Sequence, residues 1–275
     1  MLAPVVFSES FRLDAFAATG VAVGCFCLWS SAIYVLNDVI DAEADRAHPR
    51  KCHRPIAAGR IAPAAAVGLT LVLVGIGFTA ALALPRPFVL FGALYLGNSL
   101  AYCLWLKDRV IVDVLVIGIG FVIRLLAGCV AVGVEPSAWL VVCGFSLALV
   151  LGFGKRRTEV VNLGRASEYR PLLRIYDAQK LDTMLGIGCS VCLLSYMLYT
   201  IDPGTIRLHG TRYLVYTVPF VAYGLFRFIF KVQEGKGDGP VEILAGDPVF
   251  ALDGLLWLAA VIAILVLKPA PVASW

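Results

Sequence analysis

The sequence predicts an all-α protein whose helices cross a membrane several times. Hydrophobic residues make up 60% of the 275-residue chain and charged residues only 15%, and the mean hydropathy is +0.86. Apolar runs of about 20 residues, the length a helix needs to cross a bilayer core of about 30 Å, recur along the whole chain. None of these runs alternates with the period of two that a transmembrane β-strand requires.

The apolar runs predict a polytopic transmembrane helical bundle of eight full spans. They are Ala15–Leu36, Ala62–Leu84, Phe88–Leu106, Val110–Val134, Ala138–Gly154, Leu181–Ile201, Tyr213–Phe230 and Val249–Leu267. The N-terminal stretch MLAPVVFS is too short to span a bilayer and resembles the remnant of a ninth helix, without the basic leader of a signal peptide. We interpret residues 1–275 as a single transmembrane domain.

The lysines and arginines lie mainly in alternate loops, which by the positive-inside rule predicts that these loops face the cytoplasm. This asymmetry also explains the net charge of +4. Nucleic acid is not an expected partner, because no basic patch is interleaved with aromatic residues. The expected location is the plasma membrane, with a multi-pass topology and an active site on the cytoplasmic face. The oligomeric state is left open, a homo-oligomer included.

Eight cysteines are present, and all but Cys52 lie within apolar spans, where a thiol behaves as a small hydrophobe. Cys189 and Cys192 form an isolated C-x-x-C, which is a weak signal for a metal or redox site without a second pair. Cys52 lies between His48 and His53, but this spacing is not typical of a zinc site. We expect no disulfide framework.

A strongly charged segment, NDVIDAEADRAHPRKCHRPIAAG, follows the first full span and contains four acids, four bases and two histidines. On a helix, Asp38, Asp41 and Asp45 fall within about 60° of one another, whereas Glu43 points nearly opposite. Carboxylates one turn apart repel, most of all near a helix C-terminus, so a nearby cation is expected. Oxygen ligands of this kind suit Mg²⁺, which also binds substrate phosphates. The alternative is a solvated loop whose acids pair with neighbouring bases.

Basic residues follow these acids directly: His48, Lys51, His53 and Arg54. Acids that hold a metal, followed by bases that neutralise the remaining charge, fit a diphosphate. The two histidines are more typical of structural or hydrogen-bonding roles than of metal ligands.

The pattern Asn37-Asp38-x-x-Asp41-x-x-x-Asp45 resembles the first aspartate-rich motif of the UbiA superfamily of intramembrane prenyltransferases. Tyr102–Lys107 (YCLWLK) is similar to the Y-x-x-x-x-K motif of that superfamily. The resemblance covers nearly the whole chain and implies a UbiA-like bundle in which the first of nine helices is shortened. Either the contacts that the family takes from that helix are then missing, or the given sequence starts within the helix.

Three further segments resemble one branch, the decaprenyl-phosphate phosphoribosyltransferases: Asp45–Gly59, Gly120–Gly128 and Gly154–Glu159. The resemblance implies transfer of 5-phosphoribose from phosphoribosyl diphosphate to a polyprenyl (decaprenyl) phosphate, which supplies a precursor of cell-wall arabinan. The loop after Gly154 lacks the second aspartate motif of ordinary UbiA prenyltransferases and is rich in bases. Such a loop suits a donor that carries a 5-phosphate, but it would also suit an anionic lipid surface.

This resemblance assigns roles to residues of the chain. Asp38, Asp41 and Asp45 would hold Mg²⁺ and, with Lys51 and Arg54, form the catalytic set. The residues expected to bind substrate are Asn37, His48, Tyr102, Lys107, Asp113, Lys155, Arg156, Arg157 and Glu159. The polyprenyl phosphate is already an oxyanion near neutral pH, so no catalytic histidine is expected.

Asp113 and Arg124 are ionisable residues within a span, which makes them functional candidates. They share a helix face but lie about 16 Å apart along the axis, too far to bond to each other. We expect Asp113 to lie beside the ribosyl donor and Arg124 to be a structural partner of another helix. Tyr102 has two open interpretations, a phosphate ligand or an anchor at the membrane interface.

Two other functions compete with this interpretation. The first is a UbiA-type prenyltransferase that moves a polyprenyl group from its diphosphate to an aromatic acceptor. The second is a non-catalytic transporter or scaffold, which would need polar groups along a path to both faces of the membrane.

Overall fold

The computed structural model describes residues 13–47, 51–162, 175–235 and 239–267, and these residues contain helices and turns but no β-strand. Within them, eight helical segments are long and apolar enough to cross a membrane. The predicted all-α bundle of eight full spans is therefore confirmed. The N-terminal stretch MLAPVVFS, interpreted as the remnant of a ninth helix, lies outside the described residues.

The chain divides into two compact units, of which the first comprises residues 1–136. Its helices are α1 (Leu13–Ile40), α2 (Ala42–Ala47), a 3₁₀ turn (Lys51–His53), α3 (Pro63–Ala81), α4 (Arg86–Ala101), a π-helical segment (Tyr102–Leu106) and α5 (Val112–Val132). Helix α1 packs along α3 and also contacts α4 and α5.

Trp29 on α1 is the centre of the apolar core of the first unit and is fully buried. Gly77 on α3 and Gly92 on α4 lie against its indole ring, so closely that a Cβ at either position would overlap the ring. Small residues at such positions let helix backbones approach closely in lipid, where no hydrophobic force drives helices together. The two glycines thus determine how close α3 and α4 come to α1.

The second unit comprises residues 137–275. Its helices are α6 (Ala138–Asn162), α7 (Ala178–Ile201), α8 (Pro203–His209), a 3₁₀ turn (Tyr213–Thr217), α9 (Val218–Gln233), α10 (Pro240–Ala245) and α11 (Pro248–Leu267). Helix α6 packs along α7, and α9 contacts both α7 and α11.

Asp247 fixes the start of α11. Its carboxylate accepts hydrogen bonds from the backbone N–H groups of Val249 and Phe250, at 3.0 and 3.3 Å. Both carboxylate oxygens also bond to Arg227 on α9, at 2.7 and 2.8 Å. The hydrogen bond from the Arg227 guanidinium is the main reason that the pKa of Asp247 falls to about 2. The ion pair therefore joins α9 to the N-terminus of α11.

Three predicted spans end too early, one of them Tyr213–Phe230, since α9 continues to Gln233. Helix α6 continues past Gly154 to Asn162, so the basic cluster that begins at Lys155 lies on a helix rather than in a loop. Lys, Arg and Glu are good helix formers, so polar sequence alone does not end a helix. Helix α1 likewise extends past Leu36 to Ile40.

The interpretation of the chain as a single domain stays a prediction.

Candidate functional site

The three aspartates of the first motif lie where α1 gives way to α2. Asp38 is in the last turn of α1, Asp41 is at the junction and Asp45 is on α2. The N–H of Asp41 donates to the carbonyl of Asn37, and the N–H of Asp45 donates to the carbonyl of Asp41, both at 2.8 Å. Because helical hydrogen bonding continues through the junction, the three acids keep the predicted common face, while Glu43 is exposed.

Arg54 bridges two of these acids. Its Nη1 lies 2.8 Å from Asp38 Oδ1 and 2.8 Å from Asp45 Oδ2. Lys51 adds a longer contact, with its Nζ 3.8 Å from the second oxygen of Asp45. The Asp45 side chain is only 4% exposed, whereas Arg54 is 36% exposed. A buried carboxylate is thus neutralised by a base that solvent can reach.

Lys107 pairs with the remaining acid. Its Nζ lies 2.5 Å from Asp41 Oδ1, while the amide of Asn37 donates to the other oxygen at 3.0 Å. Lys107 directly follows the π-helical segment, and its N–H donates to the carbonyl of Tyr102 at 3.0 Å. The residue that directly follows the π-helical segment, Lys107, therefore contacts the junction of α1 and α2 with its ammonium group.

A strained turn separates Lys107 from Asp113. Ile111 has φ of +68°, and no other non-glycine residue in the described part of the chain has a positive φ. This conformation is rare for a β-branched residue and costs energy. Asp113 follows in the first turn of α5, is fully buried, and donates its N–H to the carbonyl of Arg109 at 3.0 Å. The turn thus fixes the position of a buried acid in the first unit.

The charged segment contains two histidines, of which the structure describes His53. His48 lies outside the described residues. His53 accepts a hydrogen bond at its backbone carbonyl from Arg60, at 2.7 Å, a contact that does not involve its imidazole, so the role expected of this side chain stays a prediction.

Arg124 joins three helices of the first unit. Its guanidinium donates to the hydroxyl of Tyr95 on α4 at 2.7 Å and lies over the rings of Tyr95 and Phe121. The Tyr95 hydroxyl also bonds to Ser30 on α1, at 2.9 Å. The prediction that Arg124 is a structural partner of another helix is confirmed. Ser30 and Tyr95 were missed, since single polar residues in separate spans give no periodic signal.

The predicted bases of the second unit lie on the last turns of α6. Arg156 is buried and bonds to Glu159 at 2.5 Å, while Lys155 is exposed. Arg157 donates from Nε to Asp182 on α7 at 3.1 Å, but its buried Nη1 has no hydrogen-bond partner within the described chain. Asp182 was not predicted as a partner, because 25 residues separate it from Arg157.

The donor atoms of the first motif fit a hard divalent cation. They are carboxylate and amide oxygens, which Mg²⁺ prefers, and the side chains of Asp38 and Asp41 are 29% and 26% exposed. In the described structure no three acids, histidines or cysteines are arranged as a metal-binding set. Arg54 and Lys107 form ion pairs with the acids of the motif. The assignment of the metal to Asp38, Asp41 and Asp45 stays a prediction.

The helices and the charged junction between α1 and α2 define a multi-pass membrane protein. The chain belongs to the UbiA prenyltransferase family, whose model matches residues 2–244. It is 29% identical to the decaprenyl-phosphate phosphoribosyltransferase of Corynebacterium glutamicum over 97% of this chain and 80% of that protein. It is 31% identical to the enzyme of the same name from Mycolicibacterium smegmatis, over 90% and 80%.

The fold is shared with a solved structure. A UbiA homologue from Archaeoglobus fulgidus, bound to DMAPP and Mg²⁺, superimposes with a TM-score of 0.74 at 15% identity, over 95% of this chain and 92% of that one. At this identity the likeness shows the fold alone. The predicted resemblance to the UbiA superfamily and to its phosphoribosyltransferase branch is confirmed. Family and relatives together support a transferase.

Proposed function

We propose that the protein transfers 5-phosphoribose from phosphoribosyl diphosphate to a polyprenyl phosphate, decaprenyl phosphate being the expected acceptor, with release of diphosphate. The observation that supports this most is the similarity to two named decaprenyl-phosphate phosphoribosyltransferases over at least 90% of the chain. The product would serve as a precursor of cell-wall arabinan. The concentration of lysines and arginines in alternate loops supports a reaction at the cytoplasmic face of the plasma membrane.

The acids of the α1–α2 junction supply the metal site in this proposal. Asp38 and Asp41 are partly exposed, so they would be the first acids to exchange a base for Mg²⁺. Asp45 is more deeply buried and would hold the inner side of the site, with Asn37 assisting through Asp41. Bound Mg²⁺ would supply charge stabilisation to the diphosphate.

The basic residues of the first unit would bind the diphosphate leaving group. Arg54 and Lys107 now donate to carboxylates, and Lys51 lies near Asp45. When a diphosphate binds, their N–H groups would turn to its oxygens and neutralise the charge that grows as its bond to ribose C1 breaks. Since these bases are already held beside the acids, little reorganisation is needed.

The nucleophile needs positioning rather than activation. A phosphate oxyanion of the lipid forms the new bond to C1 as the C1–O bond to diphosphate breaks, so no proton must be removed. Direct displacement predicts inversion at C1. Buried Asp113 would accept hydrogen bonds from the ribose hydroxyls, and Tyr102 and His48 would contact phosphate oxygens.

The basic residues of α6 would bind a further phosphate group, either the 5-phosphate of the donor or the phosphate of the lipid. The buried Nη1 of Arg157 has a free donor, and Arg156 is held by Glu159. Lys155 is exposed and would be the third cation of this group. The apolar spans would surround the polyprenyl chain.

A transfer assay tests this function. Purified protein with Mg²⁺, radiolabelled phosphoribosyl diphosphate and decaprenyl phosphate is expected to give a labelled lipid, and omission of either substrate or of Mg²⁺ should abolish it. A parallel assay offers polyprenyl diphosphate with an aromatic acceptor. Prenylated acceptor in the second assay and no labelled lipid in the first would instead establish the prenyltransferase. No product in either, with retained binding of substrates, would favour a transporter or scaffold.

A further inference from the structure

The second unit contains a cavity of about 280 Å³ between α6, α9 and α11. Apolar side chains line nearly all of it, among them Val150, Val221, Leu225 and Phe250. None of the described residues assigned to the proposed transfer reaction lines this cavity.

Among the residues that the structure describes, Asp253 is the one charged residue that lines the cavity. It lies in the second turn of α11, within a segment apolar enough to cross a membrane. No hydrogen bond or ion pair joins it to another residue in the part of the chain that the structure describes. A carboxylate in apolar surroundings is unfavourable unless a cation or hydrogen-bond donor reaches it.

Gly224 on α9 keeps this carboxylate open to the cavity. A Cβ at Gly224 would lie 3.2 Å from Asp253 Oδ2 and 3.7 Å from the ring of Phe250. Both glycine and aspartate line the same cavity, so the absence of a side chain at 224 leaves room for a ligand group beside the acid.

We propose that this cavity binds an elongated apolar molecule that carries one ammonium group, with the ammonium paired to Asp253 and the chain among the apolar side chains. Charge complementarity selects this class. A neutral alkyl chain would fill the space but leave the acid unpaired, and a lipid phosphate would be repelled by it. This site is acidic, whereas the side chains that bind phosphate in the proposed function are mainly basic.

Matched probes test the proposal. Native mass spectrometry of the full-length protein measures binding of dodecylamine, dodecanol and dodecyl phosphate near neutral pH. An ion pair is stronger than a neutral hydrogen bond, so the amine is expected to bind about fivefold to tenfold more tightly than the alcohol, and dodecyl phosphate more weakly at this site. Asp253→Asn keeps the shape of the side chain and should remove the preference for the amine. Equal binding of amine and alcohol to the wild type, or an unchanged preference in Asp253→Asn, would overturn the proposal.

A second pair of variants locates the site. Gly254 lines the cavity, and a Cβ there meets nothing within 4 Å, so Gly254→Leu should fill the cavity without disturbing the helix. It is expected to weaken binding of the amine. Gly186→Leu is the matched control, because a Cβ at Gly186 also meets nothing within 4 Å but this residue does not line the cavity. Equal loss of binding in both variants would contradict the location. Labelled-lipid synthesis should persist in Asp253→Asn, which separates this test from that of the transferase.

Discussion

Lys107 Nζ lies 2.5 Å from Asp41 Oδ1, although 66 residues separate the two in sequence. Arg54 makes the equivalent contact to Asp38 and Asp45. Every acid of the motif is therefore opposed by a base, and loss of either partner leaves a charge without compensation.

Asp41→Asn is expected to lower kcat/KM for labelled-lipid synthesis by a factor of about 100 or more, because it removes a carboxylate from the proposed metal site. Asn is nearly the same size, so the variant should remain folded. Glu43→Gln removes an acid from the opposite, exposed face and should retain wild-type turnover. Near-wild-type rates in Asp41→Asn and in Asp38→Asn would rule out the metal assignment.

Arg54→Ala leaves Asp38 and Asp45 facing each other without their shared base. Because Arg54 is 36% exposed and Asp45 only 4%, we expect an intermediate loss of stability, about 1–2 kcal/mol. Added Mg²⁺ should raise the unfolding temperature more in this variant than in the wild type, since a divalent cation can take the place of the guanidinium. Arg60→Ala is the control, as Arg60 bonds to a backbone carbonyl instead of an acid. Identical Mg²⁺ shifts in the wild type and Arg54→Ala would argue against a cation site at these acids.

Gly77→Ala should destabilise the first unit by about 1–3 kcal/mol, because the new methyl group would overlap the indole ring of Trp29. Gly75 lies about half a helical turn from Gly77, and a Cβ at this position meets nothing within 4 Å. Gly75→Ala should therefore leave the free energy of unfolding unchanged or raise it by up to about 1 kcal/mol. Thermal unfolding of both variants in one detergent provides the comparison. Similar unfolding temperatures for the two would mean that α3 does not pack on Trp29 as described.

The Arg227–Asp247 ion pair should make stability depend on acid pH. The pKa of Asp247 is lowered from 3.8 to about 2 in the folded protein, so the ion pair contributes fully above about pH 4. Its contribution is lost as the pH falls from about 4 to 2. Asp247→Asn can still cap α11 but cannot form the ion pair. The difference in unfolding temperature between the wild type and this variant should therefore shrink over that range, and a constant difference would contradict the lowered pKa.

The sequence predicted features that depend on local pattern. The eight spans follow from the length of the apolar runs, and the common face of Asp38, Asp41 and Asp45 follows from helical periodicity. Helix ends were less predictable, because charged residues that find partners, such as Arg156 with Glu159, continue a helix that hydropathy would end.

Contacts between distant segments left no such pattern. Arg157 pairs with Asp182, and Lys107, which follows the π-helical segment, pairs with Asp41. Both contacts depend on how helices pack in three dimensions. The contact of Lys107 with Asp41 was not predicted, since the resemblance to a family implied only that Lys107 binds substrate. The Ser30–Tyr95–Arg124 contacts had no sequence signal that we recognised.

The positive φ of Ile111 has a consequence for protein engineering. Glycine adopts this conformation without strain, so Ile111→Gly should raise the free energy of unfolding by about 1 kcal/mol, as measured by chemical denaturation. The same change would make the turn between Lys107 and Asp113 more flexible, so the turnover of labelled-lipid synthesis should fall. Unchanged turnover would show that this turn need not be rigid. A directed-evolution screen scored only on heat resistance would then select glycine at this position and discard catalytic rate without detecting the loss.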